Sequence, residues 1–374
     1  MESKSIRVSR KTFMELLQRG GSFSGRSKAI PILQNSLVAV GGGNISVYST
    51  DSENGIRSLG GYDLVFSDEI GSNISFCVDT ADVLRGLKTL RDSEVDLLLG
   101  VNTLGVLHSK GELQYAVLPS DEFPLLNRVD SDIVYDIDSF VLRNWLIACT
   151  PFMSTDSLYS QLCGVYLYVS EGRLGVCSTD TFGLYTDSIV YGGGMSDGSV
   201  ILPSSCIGVL VDLLQCGGVC KIKFNDRAVA IKADAGVMTC RVPNGRFPNF
   251  SRIIPQGKDI MVCVDRSEIR DSINRIVSMS DNATKCVCLD ISNEMIYVGA
   301  MDSVSNKRGK DSFRCEHIGE CIKIGINGDY LLRCIDAMVG DMIDISFTGA
   351  TQPVLLTEGA CTDKRVVVMP MSLD

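Results

Sequence analysis

Histidine is nearly absent from this chain: His108 and His317 are the only two among 374 residues. That leaves little for the general bases and metal ligands on which most hydrolytic sites depend. No Cys-x-x-Cys pair occurs either, and the closest thiols are Cys286 with Cys288 and Cys216 with Cys220. Alternation puts Cys286 and Cys288 on one strand face, but so few histidines cannot complete a ligand set around them. The cysteines read as small buried hydrophobes, and no metal or cofactor is expected. No apolar run approaches membrane-spanning length, and the opening stretch MESKSIRVSRK has no apolar core of the signal-peptide kind. Fifteen cysteines without such a signal predict free thiols in a reducing cytoplasm. A formal charge of −10 excludes a surface that is basic all round. Nucleic acid stays open, because charge can be segregated.

Two motifs lack the surroundings their chemistry needs. Gly20–Ser27 nearly matches a phosphate-binding loop, with Arg26 in the lysine position. Such a loop follows a strand and opens a helix, whereas here a helix precedes and Pro31 follows. Gly194-Met195-Ser196-Asp197-Gly198 fits the nucleophile-elbow pattern, which must pass from strand to helix to expose its serine. This copy joins two strands. The chain is therefore expected not to be an enzyme. The alternative is a serine hydrolase through Ser196 or a metal-binding enzyme through the cysteines.

What the sequence does have is repetition. Gly245–Pro255 contains the step Phe247-Pro248, echoed upstream by Phe123-Pro124 and downstream by Met369-Pro370. The prolines stand 124 and 122 residues apart. Spacing of that length marks whole domains rather than stacked hairpins. Ser49-Thr50-Asp51 recurs as Ser178-Thr179-Asp180, and more weakly as Ala300-Met301-Asp302. Each third opens with a strand running into a helix and has a second such joint midway, at Asp79, Pro203 and Asn327. Asp79, Ser204 and Asn327 are expected to cap the second helices.

Apolar periodicity predicts six helices: 10–20, 80–91, 139–148, 204–215, 266–277 and 328–338. Among many strands these give an α+β fold of three similar domains, each built from two halves. The helices carry eleven basic and seven acidic residues, a balance of +4, which leaves −14 elsewhere. A surface shared by the helices would be mildly basic while the sheets are acidic, as suits sequence-independent contact with phosphate.

Several stretches together resemble the beta subunit of bacterial DNA polymerase III, the sliding clamp family. They are Ile30–Asn35, Ser49–Asp51, Leu118–Pro124, Leu162–Val165, Ser178–Asp180, Gly245–Pro255, Asn327–Leu332 and Val367–Leu373, in the family's order and covering nearly the whole length. The resemblance implies clamp domains at 1–129, 130–254 and 255–374, and a head-to-tail homodimeric ring with helices inside and sheets outside. It implies a processivity factor that encircles double-stranded DNA without sequence preference. Its partners would be the replicative polymerase, the clamp loader and other clamp-motif proteins, with no membrane involved. The family's partner-peptide pocket falls here on Leu162, Thr179, Leu184, Pro248, Arg252, Ile253, Tyr330, Pro353, Val367, Met369, Pro370 and Met371. Its DNA-contacting basic residue before the Pro-Ile-Leu strand falls on Arg26 or Lys28, and the scattered helix cations Arg85, Lys88, Arg270 and Arg275 are expected to supply further phosphate contacts. Its dimer contact falls on Leu113, Ile276 and Val277. One departure bears on specificity: the family's usual Asp-Gly-His-Arg-Leu is Asp180-Thr181-Phe182-Gly183-Leu184 here. Loss of that His and Arg predicts a less polar pocket mouth.

Overall fold

The computed structural model describes residues 4–27, 30–41, 44–60, 64–66, 74–100, 102–126, 128–131, 133–192, 196–257, 259–359 and 363–373. Six α-helices lie among them: α1 Arg10–Gly20, α2 Thr80–Thr89, α3 Ser139–Cys149, α4 Ser204–Leu213, α5 Arg266–Val277 and α6 Gly328–Asp336. All six expected helices form. Three end early: α2 stops where Leu90 turns extended, α4 passes into a 3-10 turn at Leu214–Cys216, and α6 stops at Asp336.

The helix starts explain the repeat. Ser9, Asp138 and Asp265 close the opening strand of each third, and each side chain accepts N–H groups from the first turn beyond it. Asp79 and Asn327 do the same for α2 and α6, each accepting two. Each cap contributes about 1 kcal/mol. Ser204 departs from expectation. It is the first residue of α4, after Pro203, and its own N–H donates to the Cys163 carbonyl at 3.0 Å.

The chain forms two compact units, residues 1–144 with 205–242 and residues 145–204 with 243–374. The middle third thus contributes to both. In the first unit a five-stranded sheet, ending in the edge strand Gly111–Ala116, accompanies a nine-stranded one. Ile6, Val8, Phe13, Leu17, Val38, Val47, Val83 and Leu87 are fully buried in one core joining α1, α2 and both sheets. The nine-stranded sheet is continuous across two thirds, because Gly55–Leu59 pairs antiparallel with Gly236–Arg241. Gly236 permits this join: a Cβ there would lie 2.1 Å from the Arg57 carbonyl oxygen.

The second unit repeats the plan. Its five-stranded sheet ends in the edge strand Lys307–Arg314, and α5 packs against that strand and against α6. Its nine-stranded sheet joins the middle third to the last where Gly183–Val190 pairs with Arg365–Val368. At this second seam Gly183, Leu184, Tyr185 and Thr186 are all buried, whereas at the first seam burial alternates, with Ile56 and Ser58 inside and Arg57 exposed.

Candidate partner-binding site

The Ser-Thr-Asp signature is turn chemistry. Thr179 Oγ1 donates to the Gly183 carbonyl at 2.7 Å and accepts the Thr181 N–H, while Asp180 Oδ1 accepts the N–H groups of Phe182 and Gly183. Thr181 sits at φ 79°, a left-handed conformation held by these bonds. Thr50, Asp51 and Ser52 reproduce the arrangement in the first unit, with Ser52 at φ 83°. Ser178 and Ser49 each anchor the turn from behind, Ser178 to the Cys149 carbonyl and Ser49 by accepting the Phe23 N–H. The motif therefore fixes a rigid hairpin at the end of each seam.

In the second unit this hairpin meets the linker and the C-terminal strand. Leu184 lies directly opposite Val367, and both are buried with Cys177 and Leu355. Phe247, Phe250, Ile253 and Ile254 of the linker pack against that cluster half-buried. Tyr166 stacks on Phe247 at 4.6 Å between ring centroids, and Tyr168 meets Phe250 at 5.5 Å. Beyond Val368 the chain passes along the hairpin, with the Met369 N–H donating to the Phe182 carbonyl at 2.9 Å. Pro370–Met371 then joins the five-stranded sheet beside Ile322–Asn327. Met369, Pro370 and Met371 remain half-buried, so thioether surface stays open to a ligand. Burial pushes the Cys334 thiol on α6 up to about 12 and raises Cys177 well above its usual range. Both stay neutral, and the lining is apolar.

Of the expected pocket residues, Thr179, Leu184, Ile253, Tyr330, Val367 and the Met369–Met371 segment share this region. Pro353 precedes the neighbouring strand Val354–Thr357, and Leu162 is buried at the end of the 3-10 turn Ser157–Leu162. Pro248 and Arg252 are exposed on the linker.

The expectation of a less polar mouth needs correction. Arg333 of α6 extends over Gly183, and a Cβ on Gly183 would come within 2.4 Å of its Nη2. The guanidinium donates to Asp180 through Nη1 at 2.6 Å and Nη2 at 3.3 Å, and Nη1 also donates to the Pro151 carbonyl. It lies over the rings of Phe152 and Tyr330 at 4.7 and 4.9 Å. Phe182 stacks on Tyr330 at 5.2 Å and keeps 51% of its surface exposed. A cation supplied by α6 thus occupies the space into which a side chain at position 183 would project. Sequence reasoning counted Arg333 only as helix charge. The available signal was the pairing of a glycine in the hairpin with an arginine one turn beyond Tyr330.

The expected DNA contacts are largely engaged within their own units. Arg26 lies over Phe23 and donates to the Ser205 carbonyl at 3.0 Å. Arg85 pairs with Asp82, Arg270 with Asp336 at 2.6 Å, and Arg275 with Asp311 at 2.6 Å. Lys88 is exposed and forms no salt bridge among the described residues, and Lys28 lies outside them. Of the expected dimer contacts, Leu113 and Val277 are half-buried, but Ile276 is only 4% exposed, spent in its own unit's core.

The enzymatic alternatives find no support in the geometry. Ser196 leads into the strand Gly198–Pro203 rather than a helix, while Gly194 and Met195 lie outside the described residues. Gly20–Ser27 follows α1 and leads to the 3-10 turn Pro31–Gln34. Among the described residues no three His, Cys, Asp or Glu side chains gather as a ligand set. Burial also raises Cys286 and Cys288, against the thiolate a metal needs.

The fold is that of the bacterial DNA polymerase clamps. The Pseudomonas aeruginosa DNA polymerase III beta subunit superimposes with a TM-score of 0.93 at 22% identity, covering 100% of both chains. The Thermotoga maritima beta subunit gives 0.89 at 20% identity, over 99% of this chain and 100% of that one. In sequence, the beta sliding clamps of Pseudomonas putida and Escherichia coli K12 are each 24% identical over 98% of this chain and 99% of theirs. The central and C-terminal domains of the DNA polymerase III beta subunit match residues 137–249 and 251–372. The chain belongs to the beta sliding clamp family.

Proposed function

We propose that this protein is a processivity factor: two copies close head to tail around double-stranded DNA and tether the replicative polymerase through the site at the second seam. It does no chemistry of its own. Each copy supplies three clamp domains, 1–129, 130–254 and 255–374, and acts in the cytoplasm. The edge strands Gly111–Ala116 and Lys307–Arg314 each have one neighbour among the described residues. An unpaired ladder is a ready template for a second chain. Lys307, Arg308, Lys310 and Arg314 on one edge would complement Glu112 on the other. Leu113 and Val277 supply apolar contact beside that join.

DNA is held by scattered helix cations, weakly and without reading bases. Lys88 is the readiest, since Arg85, Arg270 and Arg275 must exchange a carboxylate for a phosphate. Arg26, which reaches the Ser205 carbonyl, adds a contact, and Lys28 is a further candidate. The partner peptide lays apolar side chains against Leu184, Ile253, Val367 and the methionines, with Arg252 orienting its backbone or terminus. Clamp loader and other clamp-motif proteins compete for the same site. Burying two leucine-sized groups contributes about 3–6 kcal/mol before association costs, so isolated peptides bind at about micromolar Kd.

The observation that carries this reading is similarity to beta clamps over 98% of the chain, supported by the apolar cluster that Leu184, Val367 and Ile253 share at the second seam. The test is retention on DNA. Protein loaded on a nicked circle with a bacterial clamp loader should stay bound through gel filtration and slide off after linearisation. Retention after linearisation, or a solution mass of 40.5 kDa rather than twice that, would refute it.

A further inference from the structure

In the first unit a cleft of about 700 Å³ opens on the nine-stranded sheet. Val38, Val40, Ile45 and Val47 point into the core with α1 and α2, and their neighbours Leu37, Ala39, Ser46 and Tyr48 line the cleft. Strand alternation therefore places the cleft on the face turned away from those helices. Leu37, Tyr48, Ala230 and Val237 give it an apolar floor, and Leu125 and Leu126 form a wall. The Leu126 N–H donates to Tyr48 Oη at 3.0 Å, fixing the wall to the floor. Leu125 is 67% exposed, an apolar side chain left without cover.

Five cations also line the cleft: Arg57, Arg128, Lys221, Lys223 and Lys232. Among the described residues no carboxylate lines it, although the chain carries a net charge of −10. Lys221 pairs with Asp136 at 2.9 Å, while Arg128, Lys223 and Lys232 form no salt bridge among the described residues. Lys221 lies directly opposite Lys232 on the adjacent strand, and Val237 opposite Arg57. Like charges in direct cross-strand register destabilise a sheet. That cost would be relieved by an anionic occupant.

We propose that this cleft is a second partner-binding site, which takes a short acidic segment of a partner protein. Its apolar side chains rest on Leu37, Tyr48 and Val237 while its carboxylates meet Arg128, Lys223 and Lys232. The volume is that of a pocket taking a few side chains. A nucleic-acid backbone would meet the cations but has no use for the apolar floor. The site shares no residue with the one in the second unit and does not rest on the clamp reading.

The probe is a short fluorescein-labelled peptide of alternating glutamate and leucine, titrated by anisotropy against the full chain. Binding should weaken about tenfold or more when glutamate is replaced by glutamine in the peptide, and likewise in Lys223→Glu/Lys232→Glu. It should be unchanged when Met369–Asp374 is deleted, which separates this cleft from the site at the second seam. A Lys223→Gln/Lys232→Gln variant should show an intermediate loss with thermal stability equal to or above wild type. Equal binding by the charge-reversed protein overturns the proposal. So does loss of binding on C-terminal deletion, or displacement of the peptide by oligothymidylate with the same dependence on the lysines.

Discussion

Replacing Arg333 with alanine tests how the second seam is held. The Arg333–Asp180 pair is buried to 16% exposure on both sides and closed by two hydrogen bonds. Breaking a fully buried pair costs about 3–5 kcal/mol and an exposed pair about 1 or less. Asp180 keeps its N–H donors from Phe182 and Gly183, which softens the loss. Stacking over Phe152 and Tyr330 adds about 0.5–1 kcal/mol. The expected cost of Arg333→Ala is therefore about 2–3 kcal/mol, a fall in Tm of about 5–10 °C for a unit of this size. Asp180→Asn should cost less, and the double variant should show a coupling of about 1–2 kcal/mol in a thermal-melt cycle. Gly183→Arg, which restores the family's residue, should destabilise too, because its Cβ must displace the guanidinium. Combining it with Arg333→Ala should recover stability. Strictly additive effects, or a Gly183→Arg protein as stable as wild type, would refute the exchange of one arginine for the other.

Deleting Met369–Asp374 should abolish partner-peptide binding while the dimer persists, read by titration of labelled polymerase-tail peptides and by sedimentation. Lys88→Glu should reduce DNA retention more than Arg275→Ala, with a shallower dependence on salt, because Arg275 is already neutralised by Asp311 at 2.6 Å. Leu113→Glu should give folded monomers, whereas Ile276→Glu should cost about 3 kcal/mol or more in thermal stability, since Ile276 lies in its own core. Desolvation raises the Glu358 carboxyl, but the N–H groups of Val339 and Gly340 together with Lys364 at 3.0 Å outweigh it and hold it below its ordinary value. Its stabilisation is thus present above the ordinary carboxylate range and fades as pH falls through the folded-state value. The difference in Tm between wild type and Glu358→Gln should shrink on acidification.

Much of this protein was legible in one dimension because the governing interactions are local. Helix starts follow from a short polar side chain reaching N–H groups two or three residues on, so Asp79 and Asn327 could be assigned from sequence. Thr179 and Asp180 likewise bond within four residues, and their recurrence at Thr50 and Asp51 exposed the repeat. Ser204 misled, because Pro203 moved the helix start by one residue and a distant carbonyl took its N–H. The seams were not legible. Nothing in Gly55–Leu59 names Gly236–Arg241 as its neighbour, since pairing across 180 residues is decided by what the whole core buries. The same holds for Arg333. Its charge was visible in the sequence, but only the tertiary structure carries α6 to the hairpin and shows that the space left by Gly183 is filled by an arginine 150 residues away.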